Sequence, residues 1–354
     1  MYDLPHVLLC CILAVAAGAD SYRAIVRFIT ARLEWLHEHT DLRWRRCPSH
    51  TGLRRILLGL DHDAIEQALR RRARAALEGD AQTQGCTIAL DGKTLRGSID
   101  RFAERAALQW LSAFATGKKL VLGQVAWGSG DKDHEIAAAR RLIEELGLEG
   151  KLFTLDALHC QKETVKAITE SGNDVLMQVK ANQPKLLDKV TVLAEQTPPA
   201  ETAYEAQIGQ RNRIEQRRAN VWPLAPGALG APWSDMRCAI QVCRHTEVFD
   251  TAHDEWKPRS ETAWYLCSRE LSAQEAQRSV REHWAVENRL HHVRDVTFGE
   301  DASRIRTQPG LFAQLRTCAL NLLRQEGYTN IKGARQTVGW SERTMLAMLH
   351  RLQR

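Results

Sequence analysis

The chain has 354 residues, 44% of them hydrophobic and 26% charged, with a net charge of +6. That length exceeds the usual size of a single core, and the composition excludes wholesale disorder. Nine cysteines without a CxxC pair exclude a zinc-finger spacing and a disulfide framework, so reduced thiols and a cytoplasmic location are expected.

Residues 1–80 read as helical, with apolar positions recurring at three- and four-residue intervals through 7–17, 22–36 and 65–77, and a shorter helix at 54–60. The apolar run 7–17 imitates a secretory signal. Met1, Tyr2 and Asp3 before it carry no positive side chain, however, and it is too short to span a bilayer, so a buried helix is expected. Arginines cluster at Arg43, Arg45 and Arg46, at Arg70, Arg71, Arg72 and Arg74, and again at Arg211, Arg213, Arg217 and Arg218. Each cluster suits either a polyanionic partner or a solvated face. The polar, glycine-flanked stretch 78–85 marks a linker to a second region, expected over 85–325.

Beyond the linker the periodicity changes. Strands are expected at 87–90, 108–114 and 120–127, then a helix at 134–146, a strand at 152–155, a helix at 161–169, a strand at 175–179 and a helix at 186–194. Prolines and short strand-like pieces at 236–243, 246–249 and 262–267 mark 197–270 as a β-rich insertion. The longest helix is expected at 271–294 and another at 311–325, with 326–354 as a helical tail. Three meandering strands followed by alternating helix and strand predict an α/β fold with a mixed sheet of the ribonuclease-H-like kind. In that order the first and fourth strands are neighbours, and their carboxyl ends carry Asp91 and Asp156.

Two strand-end aspartates with a third acid, Glu287 on the late helix, form an oxygen cage suited to Mg²⁺ (or Mn²⁺), with room for two ions. Two ions about 4 Å apart assist both the attacking and the leaving oxygen of a phosphoryl displacement. Around Asp91, the run Asp91-Gly92-Lys93-Thr94-Leu95-Arg96-Gly97 places Lys93 and Arg96 where they can hold a phosphate backbone or simply line a basic turn. Glu287, His291 and Arg294 lie at i, i+4 and i+7 of the late helix, which places them on one face. His291 and His292 are adjacent, point apart, and are not read as a metal pair. The ten tryptophans are expected mostly as core or cross-strand fillers, although one could stack on an unpaired base.

The stretches Ile88–Ser98 and Leu155–Gln161 resemble those of bacterial insertion-sequence transposases. So do Val179-Lys180-Ala181-Asn182-Gln183 and His283-Trp284-Ala285-Val286-Glu287-Asn288-Arg289-Leu290-His291. The likeness is to DDE transposases of the H-repeat-associated class and covers nearly the whole chain. It implies a ribonuclease-H-like core with metal-ligand roles at Asp91, Asp156 and Glu287, cleavage at element ends and strand transfer into target DNA. Phosphate contacts are then expected from Lys93, Arg96, Lys180, His283 and Arg294. At the wider superfamily's Y-x2-R-x3-E-x6-K positions this chain has Val280, His283, Glu287 and Arg294. The implied partner is double-stranded DNA, bound by a homodimer or larger assembly, with residues 1–80 as the end-binding part. A non-cutting DNA-binding descendant and a nuclease without strand transfer are the alternatives.

Overall fold

Short polar side chains start the first helices, since Asp3, Ser21 and Ser49 each accept a hydrogen bond from a first-turn backbone N–H. The computed structural model describes residues 2–78, 86–99, 106–127, 132–209 and 213–353. Most of the expected linker, the turn at 128–130 and Arg211 lie outside them. Five helices come first: α1 (Leu4–Ala16), α2 (Tyr22–Ala31), α3 (Leu33–His39), α4 (His50–Leu58) and α5 (His62–Glu78). The expected 22–36 helix is thus two, broken at Arg32.

The α/β region follows in the expected order: β1 (Thr87–Thr94), β2 (Gln109–Ala115), β3 (Leu120–Trp127), α6 (Lys132–Leu146), β4 (Leu152–Leu155), α7 (Lys162–Glu170), β5 (Asp174–Val179) and α8 (Pro184–Gln196). The insertion supplies β6 (Glu201–Gly209), β7 (Arg213–Pro223), β8 (Cys238–Asp250) and β9 (Glu255–Cys267). All nine join one sheet in the order β3-β2-β1-β4-β5-β9-β8-β7-β6, with the insertion extending the sheet through antiparallel pairing of β9 with β5. Two expected pieces, 236–243 and 246–249, are one strand, β8. The hairpin of β6 and β7 escaped the apolar pattern because it is held by polar cross-strand neighbours such as Glu205 and Arg217 at the sheet's edge.

After the sheet come α9 (Ala273–Val286), two successive π-helical turns at Glu287–His291 and Val293–Thr297, then α10 (Pro309–Gln325), α11 (Ile331–Trp340) and α12 (Glu342–Gln353). A capping box of Ser272 with Glu275 starts α9. The two faces of the sheet are buried differently. Ile88, Leu90, Phe153 and Leu155 pack with α5 through α8. Ala89 and Phe114 face the opposite way into a core shared by the N-terminal helices, the π-helical turns and α10 to α12. The N-terminal helices and the C-terminal ones therefore close a single apolar cluster behind β1. Leu290, fully buried there between two polar residues of the π-helical turn, is expected to cost about 2–5 kcal/mol when replaced by Ala, measured by urea unfolding.

Candidate metal centre

The strand pairing decides where the acids meet. β1 runs parallel to β4 with Ala89 opposite Thr154, so the same register carried two residues on sets Asp91 level with Asp156. Side chains alternate along a strand, so Asp91 and Asp156 project on the face of Ala89 and Thr154, against which α9 packs. Asp156 lies just past the end of β4 and closes a turn, its Oδ1 accepting from the backbone N–H of Leu158 (3.0 Å) and of His159 (3.3 Å). One carboxylate oxygen is thereby held by the chain and the other is left available.

From the opposite side, the helical path after α9 widens at Glu287. Asp91, Glu287 and His291 each offer a ligand atom, all within 4.8 Å of one another. His291 Nε2 lies 2.9 Å from Asp91 Oδ2. A hard carboxylate pair with an imidazole fits Mg²⁺ or Mn²⁺, and Mn²⁺ accepts the nitrogen ligand more readily. The imidazole is almost fully buried while Glu287 is exposed, so the cluster opens toward solvent from its glutamate side. Sequence reasoning set His291 aside as half of a doublet. The usable signal was its four-residue spacing from Glu287, not its adjacency to His292.

His283, on α9, is buried against β4 and within the electrostatic reach of both aspartates. Its Nδ1 is 3.0 Å from Thr154 Oγ1 and the ring is buried. Burial pushes its pKa below the ordinary histidine value, against the opposing pull of the Asp91 and Asp156 charges. It is a neutral spacer behind the carboxylates and not the exposed cation expected at a phosphate.

The other expected phosphate contacts divide in two. Arg96 and Lys180 are exposed. Lys93 is largely buried and pairs with Asp295. Arg294 is completely buried, donating to Glu300 (2.8 Å), with Arg316 also near that carboxylate at 3.6 Å. A π-helix carries more residues per turn than an α-helix, so the seven-residue step from Glu287 to Arg294 turns inward where an α-helix would have kept it on the Glu287 face. The 70–74 arginines are also partly committed inside the protein, Arg70 to Glu145 and Arg72 to backbone carbonyls of α12.

An open cavity of about 440 Å³ lies a helical turn upstream of Glu287, between α9 and the insertion strands. Lys180, Arg217, Arg244 and Arg259 line it, together with Tyr265 and the half-exposed Trp284. Arg244 and Arg259 share a single carboxylate, Glu261, which leaves an excess of positive charge. Val280 lines the same cavity, so the place where the superfamily pattern has tyrosine is an opening here, with Tyr265 of β9 on its wall. Trp222, Trp233 and Trp264, by contrast, are buried fillers as expected.

A mixed sheet with one acid on β1, one just past the end of the adjacent parallel β4 and a third on a late helix defines a protein of the ribonuclease-H-like class. A family model described as Transposase DDE domain matches residues 82–323, and one described as DDE_Tnp_1-associated matches residues 1–72. The chain belongs to the DDE transposase family, among its H-repeat-associated members. It is similar to “Putative transposase YncI” of Escherichia coli O157:H7, at 31% identity over 91% of this chain and 82% of the relative. It is likewise similar to “H repeat-associated putative transposase YhhI” of Escherichia coli K12, at 29% identity over 91% of this chain and 85% of the relative.

Removing the buried guanidinium leaves Glu300 with only the more distant Arg316. Arg294→Ala is expected to lower stability by about 3 kcal/mol in urea titrations, and Arg294→Lys to recover only part of that loss.

Proposed function

We propose that this protein is an active DNA transposase that cuts at the ends of its element and joins the freed 3′ hydroxyl to target DNA. The cluster of Asp91 and Glu287 with His291, together with the register that sets Asp156 level with Asp91, supports the reading, although Asp156 is not itself a member of that cluster. Asp91 and Glu287, with His291 beside them, would hold one divalent cation, and Asp156 with Asp91 a second. Bound there, the cations supply an activated water or hydroxyl and stabilise the leaving oxygen. The side chains fix the positions: the backbone of the Leu158–His159 turn steadies Asp156, and His291 steadies Asp91.

The DNA strand in this reading passes along the helix from Glu287 to Trp284. Lys180 and the arginines of the cavity neutralise its phosphates, with the exposed Arg96 as a further candidate contact. The insertion thus supplies cations that the helix itself, with Val280 and the neutral His283, does not present. The N-terminal region of residues 1–80, with Arg43, Arg45 and Arg46 exposed, is proposed to bind element ends, which requires at least two copies on the DNA. The substrate places the reaction in the cytoplasm, at the nucleoid. Among the described residues no helix is long and apolar enough to cross a membrane.

Asp91→Asn, Asp156→Asn and Glu287→Gln are each expected to abolish Mg²⁺-dependent cleavage of labelled element-end DNA while binding in a gel-shift assay persists. Full cleavage by Asp156→Asn would contradict the assignment. Binding without cleavage by the unaltered protein would favour a DNA-binding descendant, and cleavage without joining a nuclease. Lys180→Ala is expected to flatten the dependence of log K on log salt by roughly 0.9, read by fluorescence anisotropy. An unchanged slope would remove Lys180 from the DNA path.

A further inference from the structure

Gly92 follows Asp91 directly, and its backbone conformation is ordinary for a strand, so left-handed freedom does not explain the glycine. Space does. A Cβ there would lie inside the van der Waals shell of Glu135 Oε1, 3.3 Å from Glu135 Cδ and 3.2 Å from Trp127 Cη2. Glu135 sits in the first turns of α6, and its partly buried carboxylate rests on β1 at Gly92. Its Oε1 is also 3.6 Å from His159 Nε2. That histidine is 1% exposed, and neither ring nitrogen has a hydrogen-bond partner among the described residues. The backbone N–H of the same histidine donates to Asp156 Oδ1. A continuous line of contacts therefore runs from β1 at Gly92, through Glu135 and His159, to the Asp156 carboxylate.

We infer that Glu135 is a positioning residue for Asp156. Acting through His159, it holds the Asp156 turn against the end of β1 and keeps the second carboxylate level with the first. No direct contact of Glu135 with DNA or cation is involved. The assignment rests on the reading of Asp156 as a cation-site carboxylate. The Glu135 carboxylate, 3.6 Å from the buried imidazole, fixes the place of His159 in the turn, and the backbone N–H of that same residue holds Asp156.

The test uses the full chain and two readouts: single-turnover cleavage of element-end DNA with Mn²⁺, and amide exchange of the peptide carrying residues 156–161. Glu135→Ala is expected to slow cleavage roughly 10–100-fold, with DNA affinity unchanged and exchange at that peptide accelerated. Glu135→Gln keeps an oxygen toward His159 and is expected to restore most of both, which a cation ligand would not tolerate. Gly92→Ala displaces the carboxylate and is expected to mimic Glu135→Ala, with the double variant no worse than Glu135→Ala alone. Wild-type cleavage and exchange in Glu135→Ala, or Glu135→Gln as impaired as Glu135→Ala, would overturn the assignment. Cleavage that persists in Asp156→Ala would overturn the underlying reading as well, whereas the exchange readout decides the positioning role even for a protein that cuts nothing.

Discussion

Strands β1 and β4 lie side by side and parallel although two strands and a helix separate them in the chain, and their register sets the rest of the molecule's chemistry. A parallel pair cannot be joined by a tight turn, so the chain must leave the sheet and return through α6. That crossover does more than connect. It packs Ala138, Ala139 and Leu142 into the core on one face of the sheet, chiefly against β3, and at its first turns it lays Glu135 on Gly92 of β1. The opposite face is left to α9, which brings the third acid. Slipping the pairing by one residue would send Asp91 and Asp156 to opposite faces and dissolve the cluster.

The helix that carries Glu287 shows how closely burial and charge are balanced around this opening. Up to Val286 it is an ordinary α-helix packed on the sheet; from Glu287 it widens into π-helical turns. Widening of this kind is uncommon and concentrates at functional sites. Here it separates two outcomes for neighbouring polar residues. Glu287 and His291 face Asp91, whereas Arg294 is turned into the interior, where Glu300 and Arg316 complete a buried ionic network. Lys93 is taken up in the same way by Asp295. In the proposed reading the positive charge offered to DNA comes instead from β-strands of the insertion and from Lys180 and Arg96.

Much of this was legible in the sequence, for a physical reason. The apolar runs 87–90 and 152–155 are each followed by an aspartate, a pattern that survives without any knowledge of the partner strand, although β1 itself continues past Asp91 to Thr94 through its pairing with β2. The order of strands and helices then restricts which strands can be neighbours, so Asp91 and Asp156 could be paired from spacing and order alone. What was illegible depends on contacts made across the fold. Glu135 reads as one more acid on an amphipathic helix until the helix is seen to lie over Gly92. His291 gains meaning only when Asp91 arrives opposite it. The inward turn of Arg294 follows from a change in helix type that no apolar periodicity records. In the edge hairpin of β6 and β7 the buried apolar residues, such as Ala203, Ala219 and Val221, are few and scattered among charged ones, which leaves little alternation to read.

The central claim is that one opening at the sheet edge gathers the divalent cations through these three acids. Anomalous scattering from Mn²⁺ in crystals of the protein bound to element-end DNA tests it most directly. The account predicts anomalous peaks in contact with the Asp91 carboxylate and flanked by Asp156 and Glu287. Mn²⁺ bound to the DNA complex at other residues, with Asp91 uncoordinated, would contradict it.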